Sequence, residues 1–355
     1  SYEQLAKIYF KKYLKVSQIE DFKNTTVIIR SGSPLELSDI AIVNPNAARS
    51  VIVLANEEAN ADIYVIKTVL ALTNGKNRKK EAFNIVAEIK DPKNMEAADL
   101  VGNNEAAFVL SSDLISRITA QTCRQSGLSL VYNELLQFEG DEIYFQQEPK
   151  LAGKTFKDVL FAYENSAVIG ILNNEEKVLI NPTMDTVFNN GDSVIAISED
   201  DYTIKLSGKT TFDIKHNLFN RAEIKNVGIE KTLILGWNDR GARVIEELDN
   251  YVASGSQITI VADIDGISMQ IAELKKSVQK QKIDFIKGDI NDKATLINLK
   301  PETYDHLILL SYMDIDLQES DAKTLICLLH LRNLSEKVGK DFSIVSEMLD
   351  IRNRD

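Results

Sequence analysis

The chain has 355 residues, 44% of them hydrophobic and 26% charged, which is material for two or three packed domains and argues against intrinsic disorder. A formal charge of −12, from 53 acids against 41 bases, disfavours a binder that tracks nucleic-acid phosphates on a basic face; it suits cations, or simply solubility. Two cysteines and three histidines, scattered along the chain, supply neither a disulfide framework nor a Cys/His zinc site, and a reducing compartment fits them best.

The opening SYEQLAKIYFKKYL reads as an amphipathic helix rather than a signal peptide, and no apolar run approaches the ~18 residues of a membrane span. Strand-like runs follow at 27–30, 50–55, 84–89 and 106–110, with helix-like runs at 61–72 and 114–125 between and after them. Apolar strands alternating with helices predict a parallel sheet covered on both faces. Residues 111–142 read as a helix, a turn at Gly127 and a second helix. Ile115, Ile118, Leu128, Leu130, Leu135 and Leu136 give this hairpin apolar surface to bury, against a partner subunit or against its own domain. Residues 141–200 carry short strands and turns, with one helix near 156–160, and read as a small β-rich lobe; 203–228 is a polar connector. The α/β rhythm then returns, with strands at 232–235, 257–262, 284–287, 306–310 and 342–346 and helices at 241–250, 266–279 and 322–331.

That return is an internal repeat. Gly32 pairs with Gly288 and Pro45 with Pro301, both 256 residues apart; Glu88 pairs with Glu347 and Asp91 with Asp350, both 259 apart. The first copy lacks a counterpart to the strand–helix–strand that opens the second, so the chain is expected to be a piece of a longer polypeptide. The expected organisation is an α/β unit over 1–110, a crossover over 111–140, a β-rich lobe over 141–202, a connector over 203–228 and a second α/β unit over 229–355.

Two constellations carry chemistry. In KTLILGWNDRGARVIEELDNYVASGSQITIVADID (231–265), Gly236 and Gly241 hold the first and third places of a G-x-G-x-x-G turn, and Asp263 ends the next strand. Such a unit seats a pyrophosphate on a helix start and a ribose on the acid. Asn238, however, stands at the middle glycine and obstructs the approach of a nucleotide phosphate, so helix–strand packing is the competing role for both glycines. Trp237, the only tryptophan, sits in the same turn, to stack on a base or to pack. The second constellation is acidic and occurs twice. Asp62 and Asp321 stand at helix starts, Glu88 and Glu347 at the ends of the following strands, and Asp91 and Asp350 three residues on. In a parallel sheet these positions converge on one rim, and several carboxylate oxygens there suit Ca²⁺. The competing reading makes Asp62 and Asp321 helix N-caps and Asp91 the start of a loop. Apparent P-loop endings at 153–155 and 208–210 lack the first glycine, and no G-x-S-x-G is present.

The order of α/β unit, helix–turn–helix, β-lobe and second α/β unit resembles the RCK (regulator of K⁺ conductance, TrkA-N/TrkA-C) architecture. ARSVIVLA followed by a helix and IVAEI, SSDLISRITAQ as the crossover helix, and the Gly191-Asp192-Ser193-Val194 strand of the lobe carry the likeness. LILGWNDRGARVIEELDNYVASGS, VIIRSGSP and IVSEMLDIRNRD are similar to the CASTOR/POLLUX branch, ion channels of plant nuclear envelopes with bacterial relatives. The resemblance implies Rossmann-like RCK N-lobes in tandem around an RCK C-lobe. It implies a pore domain on the same full-length chain, and a homo-oligomeric ring, a tetramer, on the cytosolic face of a membrane. It also implies a gating rather than a catalytic role. In calcium-gated relatives of this kind the ion is held by an acid at a helix start and acids at the next strand end, the places of Asp62 with Glu88 and Asp321 with Glu347. The second strand-end acid of that pattern falls on Lys90 or Leu349, so Asp91 and Asp350 would substitute. The rival functions are a soluble TrkA-type subunit of potassium uptake that senses a nucleotide, and an NAD-dependent oxidoreductase, for which no catalytic acid or base is nominated.

Overall fold

The computed structural model describes residues 28–56, 60–137, 140–209 and 228–353, with the single positions 215 and 218. The helix expected at the start of the chain and most of the 203–228 connector lie outside the described residues. The described parts of 1–124 and 228–355 form one compact unit, and those of 125–227 another.

The first copy of the repeat comprises α1 (Leu37–Ile42), β1 (Val51–Val53), α2 (Ala61–Asn74), β2 (Ile85–Ile89), α3 (Met95–Gly102) and β3 (Ala106–Leu110). Its strands pair in parallel in the order β1-β2-β3. Every second residue faces one side: Val53, Ile85, Ala87 and Ile89 pack with Val65, Val69 and Leu72 of α2 and Ala98 of α3. On the opposite side Ile52, Val86 and Val109 are exposed among the described residues. The strand expected over 27–30 is not seen: residues 28–30 join no ladder, and Val27 lies outside the described residues. A strand needs a neighbouring strand for its backbone N–H and C=O groups, and among the described residues 28–30 meet none.

Helix α4 (Ser111–Arg124) and α5 (Leu128–Leu136) are separated by Gly127, at φ 87. The second compact unit adds β4 (Glu142–Gln147), α6 (Phe156–Leu160), β5 (Ala167–Leu172), β6 (Val178–Ile180) and β7 (Ser193–Ser198) to α5. Its antiparallel sheet runs β4-β7-β5-β6 over a core that includes Phe156, Phe188, Val194 and Ala196. Helix α6 is short but well started, because Thr155 and Asp158 satisfy each other's backbone N–H in a capping box.

The second copy comprises β8 (Lys231–Leu235), α7 (Gly241–Tyr251), β9 (Ser256–Ala262), α8 (Ile267–Ser277), β10 (Gln281–Lys287), α9 (Lys293–Leu299), β11 (His306–Leu309), α10 (Leu317–Val338) and β12 (Ile344–Ser346). Its parallel sheet runs β10-β9-β8-β11-β12, with apolar clusters on both faces. The inner strands β8 and β11 read as nearly unbroken apolar runs because both their faces are buried.

Register shows that the two copies share one plan. Val51 pairs with Ile85 in the first and Leu307 with Ile344 in the second, the same positions displaced by 256 and 259 residues. Asn44 and Lys300, also 256 apart, both adopt the left-handed conformation just before a proline-led turn. Left-handed backbone is uncommon outside glycine, so its recurrence in register, on an asparagine and then a lysine, marks a shared backbone path rather than a shared composition.

Candidate functional site

The acidic rim is built twice with the same hydrogen bonds. In the first copy Asp62 Oδ1 accepts the Lys90 N–H at 2.9 Å; its Oδ2 accepts the Asp91 N–H at 2.9 Å and the Asn94 side-chain amide at 2.8 Å. In the second, Asp321 Oδ1 accepts the Leu349 N–H at 2.8 Å; its Oδ2 accepts the Asp350 N–H at 2.9 Å and the Asn353 amide at 2.8 Å. Both aspartates are buried. Neither caps its own helix: Asp316 caps α10, accepting the Gln318 and Glu319 N–H groups, and α2 has no side-chain cap bond. Each aspartate instead reaches across to clamp the turn after the next strand. Asn94 and Asn353 were missed in the sequence, although they repeat at the same 259-residue offset as the acids.

The glutamates clamp the neighbouring strand. Glu88 Oε2 accepts the Ala55 N–H at 3.1 Å and its Oε1 the Ser111 hydroxyl at 2.8 Å. Glu347 Oε2 accepts the Ser311 N–H at 3.2 Å, where Ser311 is the counterpart of Ala55. The copies then diverge. Glu347 Oε2 also takes the Asn238 amide at 2.7 Å, and its Oε1 lies 3.0 Å from Arg240 Nε in an ion pair. Asp350 is buried, takes Arg352 Nε on both oxygens at 2.9 Å and the Gln318 amide at 2.6 Å, and the Arg352 guanidinium holds its carboxyl far below the usual carboxylate range. Asp91 is exposed, and among the described residues its side chain accepts only the nearby Lys93 N–H, at 3.0 Å. The second rim therefore carries its own guanidinium counter-ions. Among the described residues no group of three or more His, Cys, Asp or Glu side chains is disposed to hold a metal ion. Glu57 and Glu58, which follow β1 in sequence, lie outside the described residues; Asp314 and Glu319 are exposed.

The glycine turn is shaped by packing. Gly236 sits at φ 85, and a Cβ there would stand 2.1 Å from the Leu310 carbonyl oxygen, so only glycine fits. A Cβ on Gly241 would stand 2.8 Å from the Trp237 ring, so the third glycine seats the indole. Trp237 is 5% exposed, packs into the core of the second copy and donates its Nε1–H to Gln270 at 3.4 Å. Asn238 is buried; its amide donates to the Ser311 carbonyl at 2.9 Å as well as to Glu347, and its oxygen accepts the Arg240 N–H at 3.0 Å. Asp263 stands exposed at the end of β9, 3.9 Å from Lys287 Nζ. Buried side chains close this turn, and the carboxylate among them, Glu347, is a like charge to any phosphate that approached.

Helix α4 carries the first copy onto the second. Ser116, Thr119, Ala120 and Cys123 form its buried face, and Ala120 and Cys123 join the core with Ile234, Val244 and Leu248. Small residues at this helical spacing let two backbones approach closely. Ile115 is left exposed on the single chain. Asp113 joins Arg117, at 2.6 Å, to Arg243, at 2.8 Å. At the other end Arg124 donates through two nitrogens to Glu230, at 3.1 and 2.7 Å, and Glu230 also faces His306 Nε2 at 3.3 Å. Burial pushes the Asp113 and Glu230 carboxyls up, but the facing arginines outweigh it and leave both below their ordinary values. The same burial pushes the Cys123 and Cys327 thiols up to about 12, which leaves them inert core residues.

Residues 112–215 match a family described as "Castor and Pollux, part of voltage-gated ion channel". Beyond that segment, "Probable ion channel POLLUX" of Arabidopsis thaliana is 29% identical over 327 residues, which cover 89% of this chain and 39% of the relative. The chain is a relative of the CASTOR and POLLUX ion channels. "Ion channel CASTOR" of Lotus japonicus is 29% identical over 337 residues, 91% of this chain and 39% of that one. "Probable ion channel POLLUX" of Oryza sativa subsp. japonica is 30% identical over 335 residues, 89% and 34%. The chain thus spans between a third and two-fifths of the length of these relatives. The structure of the human SLO3 gating ring covers 86% of this chain and 65% of its own, with a TM-score of 0.59 at 14% identity, a likeness of fold. Among the described residues of this CASTOR/POLLUX relative, no helix is long and apolar enough to cross a membrane.

Proposed function

We propose that the chain is the cytosolic, ligand-sensing gating-ring region of a cation channel, with the pore elsewhere on the full-length polypeptide and four subunits closing the ring. The observation that carries this reading is the relationship, over about nine-tenths of the chain, to proteins named as ion channels. The gating-ring fold supports it. So do Leu130, Val131 and Leu136, exposed on α5, which offer apolar surface for a neighbouring subunit.

Ca²⁺ is the proposed ligand, at the first rim. Asp62, Glu88 and Asp91 have the oxygen chemistry a hard cation prefers. Among the described residues these three form no ion pair with a lysine or arginine, whereas Glu347 and Asp350 face Arg240 and Arg352. A cation at the first rim competes with the Lys90 and Asp91 N–H groups for Asp62. It therefore favours a rim with a different turn after β2, and an ion that prefers one conformation shifts the population towards it. Millimolar Ca²⁺ is expected to raise the melting temperature by mass action. Glu88→Ala abolishes the increment and Glu347→Ala keeps it. An unchanged melting temperature in the wild-type chain, or an increment that survives Glu88→Ala, refutes the site.

A further inference from the structure

The crevice between the carboxyl ends of β8 and β11 is where the strand order of the second sheet reverses, the place at which α/β sheets of this kind receive ligands. Donors converge there. The Asn238 amide is 2.7 Å from Glu347 Oε2, the Ser311 backbone N–H is 3.2 Å from the same oxygen, and Arg240 Nε is 3.0 Å from Oε1. Asn238 is 7% exposed and Ser311 wholly buried, and the side chains of Arg240 and Glu347 are 11% and 8% exposed. The Arg240–Glu347 contact is an ion pair without hydrogen-bond alignment, so the guanidinium is held near the carboxylate by charge.

We propose that this cradle is an oxyanion site occupied by the chain's own Glu347, a built-in plug that stands where a phosphate would sit and excludes nucleotides from the second copy. The argument is one of donor geometry and charge. A backbone N–H after β11 and an amide in the β8–α7 turn donate to one oxygen of a single anion, and a guanidinium from that same turn faces the other oxygen. The turn leads into α7, whose N-terminal end adds positive potential. Asn238 is the adaptation that makes the plug work: in place of a bare glycine it supplies an N–H donor to the anion, and its own oxygen pins the turn through the Arg240 N–H. With the carboxylate in place, a phosphate would meet a buried like charge and a filled volume. With the carboxylate gone, the same donors face an empty anion-sized space.

The plug is independent of the calcium reading and is tested separately, by thermal melting of the whole chain with inorganic phosphate as the probe. Ionic strength is held constant with chloride. Phosphate on the order of 10 mM is enough to stabilise a millimolar site measurably by mass action. The wild-type chain is expected to show no shift with phosphate or NAD. Glu347→Ala is expected to melt lower and to regain part of the loss with phosphate, and Glu347→Ala with Arg240→Ala to lose that gain. A wild-type chain that responds to phosphate or NAD as strongly as the variant, or a folded Glu347→Ala that ignores phosphate, overturns the proposal. Should Glu347→Ala not fold, Arg240→Ala decides. It strands a buried carboxylate and is expected to melt lower, with recovery in Arg240→Ala plus Glu347→Gln. No recovery overturns the plug as well.

Discussion

Asp62 and Asp321 each receive three N–H donors, two from backbone and one from an asparagine side chain. Removing such an acceptor leaves buried donors unpaired, which costs about 1–3 kcal/mol for each group that finds no water. Asp62→Ala is therefore expected to lower the melting temperature clearly, and Asp62→Asn to lower it less, because the amide oxygen still serves some of the donors. Equal melting of both variants and wild type would show that the clamp is not holding the turn. The acids were legible in the sequence as a repeated pattern, but their partners were not. Spacing shows that Asp62, Glu88 and Asp91 reach one rim; it does not show whether a carboxylate there meets a cation or a backbone amide. Arg240 and Arg352 were invisible for the same reason, since each pairs across the fold or around a turn that only the backbone path defines.

At the scale of elements, α4 is the joint between the copies, and its ends are fastened by charge. Asp113 faces Arg117 and Arg243, and Glu230 faces Arg124 and His306. Both carboxyls have lowered folded-state pKa values, so what they add to stability is fully present above the ordinary carboxylate range, near pH ~4, and is lost as pH falls through the lowered values. Asp113→Asn should melt below the wild type at neutral pH, and the gap should close as pH falls below that range. A gap that persists in acid would mean Asp113 acts through shape rather than charge. The elements themselves were readable: β3 and α6 fall where alternation and turns put them, and the glycine turn fell where its spacing put it. The strand at 27–30 was not, because apolar alternation describes a strand only when a neighbour completes its ladder. The buried face of α4 also escaped, because Ser116, Ala120 and Cys123 bury by being small, which hydrophobic periodicity ranks below Ile115.

For the whole molecule, one module occurs twice with matched strand register and matched clamps, and the copies differ in their counter-ions. The second rim is neutralised from within by Arg240 and Arg352. The first relies on hydrogen bonds alone among the described residues, which is why the proposed calcium site is placed there. On the proposed reading, one copy is fixed and the other responds to the ion, so that ligand binding moves one part of the proposed ring against another. Ionic current through the full-length protein in a planar bilayer, recorded while Ca²⁺ is stepped on the face that carries this region, tests it most directly. The account predicts an open probability that changes with Ca²⁺ in the wild type and no longer does so in Glu88→Ala. Currents that ignore Ca²⁺, or that keep their full response in Glu88→Ala, would contradict it.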